Sequence, residues 1–268
     1  MKEYSIITGA AGLLGEQHAI ALANVGFSLI LTDIDKKKLL KLKNKLKNKF
    51  KKLDIIVYPM NITNEKEIIL MKNFFRLKKF KITVLVNNAA LNPKMVNMAN
   101  KKKTGTIENY SIDFLKEEIN VNLISAFVMI KHFGSQMAKN NKGSIINIGS
   151  DLSINAPDQS VYSKSENINK VINFKPIGYS LSKFGIVGLT KYVATYWAHK
   201  KIRCNALIPG AVANNQSSYL KKNVSKRIPM RRWAKKNEYR KGLAFLATND
   251  SSYMTGQLLI IDGGRSAW

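Results

Sequence analysis

The sequence predicts an α/β protein: a doubly wound parallel sheet of about seven strands with helices on both faces. Three observations predict it. Short apolar runs rich in β-formers alternate with longer segments of helical period along all 268 residues, without a repeat or a linker. The first run, residues 4–8, leads straight into Gly9-Ala10-Ala11-Gly12-Leu13-Leu14-Gly15 and then a helical pattern. The second run, residues 27–32, ends on an acid, Asp33. Strand, glycine turn, helix, strand and acid within about thirty residues make a dinucleotide-binding unit. The whole chain, 1–268, therefore reads as a single Rossmann-type domain.

The elements follow in order. The helix after the glycines carries Ala19, Leu22, Ala23 and Val25 and stops at Gly26. Residues 36–52 hold Leu39, Leu42, Leu46 and Phe50 at helical spacing with lysines between them, which describes an amphipathic helix with a solvated basic face. Residues 54–58 form the third strand. Residues 64–79 form a helix with Thr63 or Asn64 as N-cap and Glu65 and Glu67 in its first turn. Residues 82–86 form the fourth strand, which ends at Asn87-Asn88-Ala89-Ala90. The polar stretch 92–109 is expected to loop over the mouth of a cleft. A long helix lies within 112–139, stopped by Asn140, Asn141 and Gly143. Residues 144–148 form the fifth strand, with Ser150 just past its carboxyl end. Residues 151–178 lack periodicity and contain Pro157 and Pro176. A strong helix at 179–200, a strand at 202–208 and Pro209-Gly210 come next. Residues 211–236 form a loop with short helical pieces. A helix at 237–248 and a strand at 258–261 close the chain.

Composition narrows the class. A formal net charge of +27 fits nucleic acid, an acidic membrane surface or an anionic substrate. The basic residues carry no interleaved aromatics, so no nucleic-acid and no membrane partner is expected. No run of about 20 apolar residues spans a bilayer. The first strand begins almost at Met1, leaving no room for a signal peptide, so a cytoplasmic enzyme is expected. The sole cysteine, Cys204, lies in an apolar run and reads as a buried thiol. His18, His132 and His199 stand far apart without Cys or Asp partners, and no metal site is expected.

The chemistry gathers where the strands end, the place ligands bind in such sheets. The glycines let a backbone approach a pyrophosphate, and the helix behind them offers free N–H groups to it. Asp33 suits a ribose and repels a 2′-phosphate, which favours NAD over NADP; Lys36, Lys37 and Lys38 stand close enough to soften that preference. Tyr179 and Lys183, four apart on a helix, share a face. An ammonium beside a phenol favours the phenolate and lowers its pKa from about 10. Such a phenol can exchange a proton with a carbonyl or alcohol oxygen. Tyr-x-x-x-Lys arises by chance in lysine-rich chains; the N-terminal unit is what gives it weight.

These residues, with Val121-Asn122-Leu123, Asn147-Ile148-Gly149-Ser150, Arg203-Cys204-Asn205, Thr255-Gly256-Gln257 and Asp262-Gly263-Gly264, stand in an order that closely resembles the short-chain dehydrogenase/reductase family over essentially the whole chain. The resemblance implies an NAD(P)-dependent oxidoreductase. It implies that Tyr179 is the general acid/base, that Lys183 binds the nicotinamide ribose and lowers the phenol's pKa, that Ser150 orients the substrate oxygen, and that Asn122 holds a water linking Lys183 to solvent. It further implies cofactor contacts from Gly9, Gly12, Leu14, Gly15, Asp33, Asn88, Ala89, Pro209, Gly210 and Val212. Three departures stand out. Leu13 replaces the middle glycine, with Gly12 beside it, a spacing similar to the family's sugar-nucleotide-modifying branch. Asn61 stands where many members carry Asp, and Asn61 and Ile62 are still expected to touch adenine. The gap between Ser150 and Tyr179 is longer than usual, so an insertion at about 153–176 is expected beside the active site.

Asp151-Leu152-Ser153, Ala156-Pro157-Asp158-Gln159, Tyr192-Val193-Ala194-Thr195-Tyr196-Trp197, Asn214-Asn215-Gln216 and the terminal Gly264-Arg265-Ser266-Ala267-Trp268 resemble the flagellin modification protein A group of this family, whose members serve surface amino-sugar pathways. That implies a sugar-like, anionic substrate met by a substrate loop at 211–236. There Asn214, Asn215, Gln216, Arg227, Arg231 and Arg232 are candidate contacts. A 3-oxoacyl-[acyl-carrier-protein] reductase is the rival within the class; a non-catalytic NAD-binding scaffold with RNA affinity is the rival outside it. Helices 112–139 and 179–200 show apolar residues on more than one face, Val187, Tyr192, Tyr196 and Trp197 among them. Family members pair such helices, so a homotetramer or homodimer is expected.

Overall fold

In a computed structural model, which describes residues 2–92, 106–162 and 174–268, seven strands form one sheet in the order β3-β2-β1-β4-β5-β6-β7. They are β1 (Glu3–Thr8), β2 (Ser28–Thr32), β3 (Ile55–Val57), β4 (Lys81–Asn87), β5 (Gly143–Ile148), β6 (Ile202–Pro209) and β7 (Leu258–Ile261). Every pairing is parallel. Alternate residues of each strand serve opposite faces, which is why the runs read as continuously apolar. Ile7, Leu31, Val86 and Ile146 pack under α1 (Gly15–Asn24), α2 (Lys36–Lys49) and α9 (Arg240–Ala247). Ile6, Ile30, Leu85 and Ile145 pack under α3 (Glu65–Leu77), α5 (Ser125–Met129), α6 (Ser135–Lys139) and α7 (Ile177–Trp197). β2 and β4 leave β1 on opposite sides, so the carboxyl ends of β1 and β4 open the crevice in which doubly wound sheets bind ligands.

Local chemistry explains the helix boundaries. Asp35 caps α2 by accepting from the Lys38 N–H at 3.0 Å. Of the two candidate caps for α3, Asn64 serves, accepting from the Lys66 N–H at 3.1 Å. Leu39, Leu42 and Leu46 are buried beneath α2, whose lysines face outward. The helix expected within 112–139 is interrupted twice. After α4 (Ile112–Ile119) come π turns at Asn120–Ile124 and Ile130–Gly134, which separate α4, α5 and α6. Single π turns inside helices cluster at functional sites, and Asn122 lies in the first of these, 2% exposed.

The segment 211–236 contains α8 (Ser218–Lys226) and is closed at its base by a bridge between Val212 and Ala234. Of the insertion expected at 153–176, residues 159–162 form a 3-10 turn, while residues 163–173 lie outside the described residues; so do 93–105 of the expected loop over the cleft. No helix among the described residues is long and apolar enough to cross a membrane.

Candidate active site

The glycine loop is shaped by the chain itself at two of its three glycines. Gly9 has φ +59°, and a Cβ there would stand 2.7 Å from the Ala89 Cα. A Cβ on Gly15 would stand 2.2 Å from the Gly9 carbonyl oxygen. Gly12 differs: its Cβ would meet only that oxygen, at 3.2 Å, and otherwise open space. Packing within the chain thus explains Gly9 and Gly15, and the bare flank at Gly12 is a cradle a side chain would fill. Leu14 precedes α1 and packs on the core below. Asn88 locks the loop to β4, donating from Nδ2 to the Thr8 and Gly9 carbonyls at 2.9 Å each, while Thr8 Oγ1 accepts from the Asn88 and Ala89 N–H groups at 3.0 and 3.1 Å. Asp33 accepts from the Ala11 and Asp35 N–H groups, each at 3.1 Å, so its half-buried carboxylate is held beside the loop.

The next strand end adds Asn61 and Ile62. The Met60 N–H donates to the Asp33 carbonyl at 3.1 Å, which brings this segment alongside Asp33. The Asn61 side-chain oxygen is taken by its own turn, accepting from the Thr63 N–H at 3.0 Å and the Thr63 hydroxyl at 2.8 Å. Ile62 packs against the core. Across the crevice Pro209 ends β6, and the Gly210 N–H donates to the Ile261 carbonyl at 3.0 Å. Val212 packs on the core and bridges to Ala234. The open flank at Gly12 and the carboxylate of Asp33 fit a dinucleotide laid across the strand ends, while Gly210 is packed against Asp262, where a Cβ would stand 2.7 Å from the Asp262 Cα.

The four candidate catalytic residues converge at the ends of β5 and α7. Ser150 caps a 3-10 turn at Asp151–Ser153: its hydroxyl accepts from the Leu152 N–H at 3.2 Å and donates to Asp151 Oδ1 at 2.9 Å. The Ser150 side chain lies close enough to the Tyr179 phenol to favour its ionised form. Lys183, 3% exposed, donates to the Ile148 carbonyl at 2.8 Å and lies 5.7 Å from the Tyr179 ring centroid. Asn122 Oδ1 accepts from the Leu91 N–H at 2.6 Å; its Nδ2 donates to the Leu91 carbonyl at 3.0 Å and to Ser182 Oγ at 3.1 Å. The Asn122 side chain therefore ties the segment after β4 to α7, a bracing role beyond the expected hold on water.

The electrostatics differ from the sequence expectation. Burial pushes the Tyr179 phenol up to about 12; Asp151 and Tyr162 add to this, and only the Ser150 side chain opposes it. Burial, with help from Lys175, brings Lys183 down to about 8. The ammonium turns its N–H to a backbone carbonyl, and enclosure governs the phenol.

The arginines of the substrate loop differ as well. Arg227 pairs with Asp158 and donates to Ser160 Oγ at 2.9 Å. Arg231, at φ +55°, donates to the Lys226 carbonyl at 2.6 Å. Arg232 forms a two-pronged pair with Glu238, both contacts at 2.7 Å. Of the amides only Gln216 folds inward, accepting from the Asn214 N–H at 2.6 Å and donating to the Val212 carbonyl at 3.0 Å, while Asn214 and Asn215 are exposed. Sequence reasoning passed over two contributors. Arg265 reaches back from the chain's end to pair with Asp151, the residue after Ser150; no local signal marks it. Lys175 stands 4.0 Å from the Tyr179 ring centroid. It precedes Tyr179 by the interval at which Lys183 follows it, a spacing open to view, masked by Pro176 between them.

Comparison with known proteins now decides the family. Residues 9–266 match the family model described as enoyl-(acyl carrier protein) reductase. The 3-oxoacyl-[acyl-carrier-protein] reductase FabG of Thermotoga maritima is 31% identical over 268 residues, covering 97% of this chain and 96% of that protein. The chain belongs to the short-chain dehydrogenase/reductase family. As a member it is an oxidoreductase that acts on a CH–OH group with a nicotinamide cofactor. The 7alpha-hydroxysteroid dehydrogenase of Bacteroides fragilis is 27% identical over 266 residues, covering 97% of this chain and 92% of that protein. Among solved structures, NAD+-bound xylitol dehydrogenase superposes with a TM-score of 0.82 at 26% identity, over 98% of both chains. A gluconate 5-dehydrogenase from Burkholderia cenocepacia, in complex with NADP and tartrate, superposes at 0.84 over 100% of this chain and 96% of its own; at 22% identity that likeness concerns the fold.

Proposed function

We propose that this dehydrogenase interconverts a secondary alcohol and a ketone on a polar, anionic, sugar-like substrate, an amino-sugar or nucleotide-sugar intermediate of surface-glycan assembly in the cytoplasm, with NAD preferred to NADP. The observation that carries the chemistry is the convergence of the Ser150 hydroxyl, the Tyr179 phenol and the Lys183 ammonium. Gly12, Asp33, Asn88, Ala89, Lys183, Pro209, Gly210 and Val212 would hold the dinucleotide. Its nicotinamide, when bound, supplies or accepts the hydride. Tyr179, protonated at neutral pH with its pKa near 12, gives its proton to the ketone oxygen in reduction and must first lose it for oxidation. Ser150 orients that oxygen with its hydroxyl, which donates to Asp151 Oδ1 at 2.9 Å. Lys183 keeps a cation beside the phenol, and Asn122 braces α7 behind both.

Polar groups at the cleft mouth support the substrate class: Asn92 and Gln159 meet there through Lys175. The preference for NAD rests on the Asp33 carboxylate beside the glycine loop. A second reading, a carrier-protein-dependent 3-oxoacyl reductase, draws on the relative at 31% identity and on the charge of +27, which suits an acidic carrier. Turnover of a UDP-linked keto-sugar and of an acetoacetyl thioester, each with NADH and NADPH, separates the two. The sugar reading expects NADH turnover with kcat/KM for the keto-sugar at least about tenfold above that for the thioester, a difference of about 1.4 kcal/mol in the barrier. The reverse order with NADPH establishes the carrier-protein reading. RNA binding at physiological salt without turnover of either leaves the scaffold reading.

We also propose that copies of the chain associate through the helices flanking the site. Ile112, Ile124 and Phe127 on one side and Leu181, Phe184, Tyr192 and Tyr196 on α7 are exposed large hydrophobics. Trp197 does not join them: it packs into the core, close enough that a Cβ on Gly134 would stand 2.7 Å from its ring. Light scattering should give the mass of a homodimer or homotetramer, and a monomeric mass overturns this.

A further inference from the structure

Lys175 lies at the cleft mouth, one residue before Pro176 and the start of α7. Its ammonium stands 4.0 Å from the Tyr179 ring centroid and donates to Asn92 Oδ1 at 2.7 Å. Its backbone N–H donates to Gln159 Oε1 at 2.8 Å. The residue so joins three walls: the segment after β4, the 3-10 turn at Gln159–Tyr162, and α7. An ammonium carries three N–H donors, and Asn92 accounts for one of them.

The carboxylates of Asp151 and Glu118 act on Lys175 from a distance, and neither forms an ion pair with it. Asp151 is neutralised by Arg265, a pair of which both side chains are largely buried. Glu118 is buried and receives the Tyr110 hydroxyl; burial pushes its carboxyl up toward the neutral form, and its Oε1 has no partner. Lys175 and Lys183 remain as two cations near the reacting phenol. Among the described residues, no carboxylate forms an ion pair with either of them. Enclosure disfavours an unpaired ammonium, and burial brings Lys175 down to about 8. The arginines of the substrate loop are engaged with Asp158, Glu238 and the Lys226 carbonyl.

We propose that Lys175 is an anion-binding residue of the substrate pocket, pairing with a carboxylate or phosphate that the substrate bears within roughly two or three bonds of the reacting carbon, since a charge-assisted contact spans only about 2.7–2.9 Å. Asn92 shares that group through its amide. The inference rests on the hydride-transfer reading, because Ser150 and Tyr179 set where the reacting carbon lies.

Ligand-observed NMR on the full chain saturated with NAD+ tests it with two matched pairs: acetoacetate against methyl acetoacetate, and dihydroxyacetone phosphate against dihydroxyacetone. The wild type should bind the anionic partner of one pair about tenfold to a hundredfold more tightly than the neutral one; that pair names carboxylate or phosphate. Lys175→Gln should level the pair while binding NAD+ unchanged, and Lys175→Arg should retain most of the preference. Equal binding of acetoacetate and its methyl ester, and of dihydroxyacetone phosphate and dihydroxyacetone, by the wild type overturns the proposal, as does a preference that survives in Lys175→Gln. Failure of the wild type to bind either NAD+ or NADP+ counts instead against the hydride-transfer reading, and the same two pairs then read the anion site on the cofactor-free chain.

Discussion

Replacing Tyr179 by Phe should lower kcat by about 10²–10⁴, the usual contribution of a positioned general acid, with little change in KM or in NAD+ affinity. The substitution removes one oxygen and leaves the ring, so the packing of α7 and the 4.0 Å approach of Lys175 to the ring face persist. What disappears is the phenol oxygen beside Ser150 at the end of β5. An interaction that acts mainly in the transition state lowers kcat and kcat/KM together. Steady-state kinetics beside a thermal melt separates this from unfolding. Undiminished turnover in the Phe variant, with an unaltered melting temperature, refutes the assignment of Tyr179. Ser150→Ala provides the contrast: it removes the orienting hydroxyl and also strips Asp151 of a donor and the Leu152 N–H of an acceptor, so its loss of activity should come with a lower melting temperature.

How much of this was legible before the fold follows from the range of the forces involved. The alternation of strand and helix, the glycine loop and the spacing of Tyr179 and Lys183 are local patterns, and the sheet assembles them as read. Asn64 as a cap and the lysine-covered α2 follow from neighbours in the chain. The interactions that escaped are long-range. Arg227 read as a free cation because Asp158, its partner, is 69 positions away. Nothing near Arg265 in the sequence announces that the chain end returns to the strand carrying Ser150. The π turn that contains Asn122 also escaped, because a helical apolar pattern does not say where one extra residue enters a turn. The phenol's raised pKa escaped for a different reason. The sequence supplies the neighbouring ammonium, but only the packed cleft supplies the desolvation that outweighs it.

Arg265→Ala should destabilise the protein by about 3–5 kcal/mol, the usual cost of leaving one member of a buried ion pair alone. The chain after β7 reaches the site because Gly263 and Gly264, at φ +70° and +88°, turn it back, and Asp262 accepts from the Gly264 and Ser266 N–H groups at 2.9 and 2.8 Å. Arg265 then meets Asp151, their side chains 13% and 7% exposed. Without the guanidinium, Asp151 keeps only the Ser150 hydroxyl at 2.9 Å and the Leu152 N–H at 3.0 Å, neutral donors for a carboxylate removed from water. A carboxylate freed from Arg265 can turn away from the Ser150 hydroxyl it now receives, so activity should fall as well. Urea denaturation measures the first effect and kcat the second. The double variant Asp151→Asn with Arg265→Ala removes the stranded charge and keeps an amide for Ser150, so it should recover a large part of the lost stability. If single and double variants unfold at the same urea concentration, the pair is not what binds the chain end to the catalytic serine, and Arg265 contributes by packing alone.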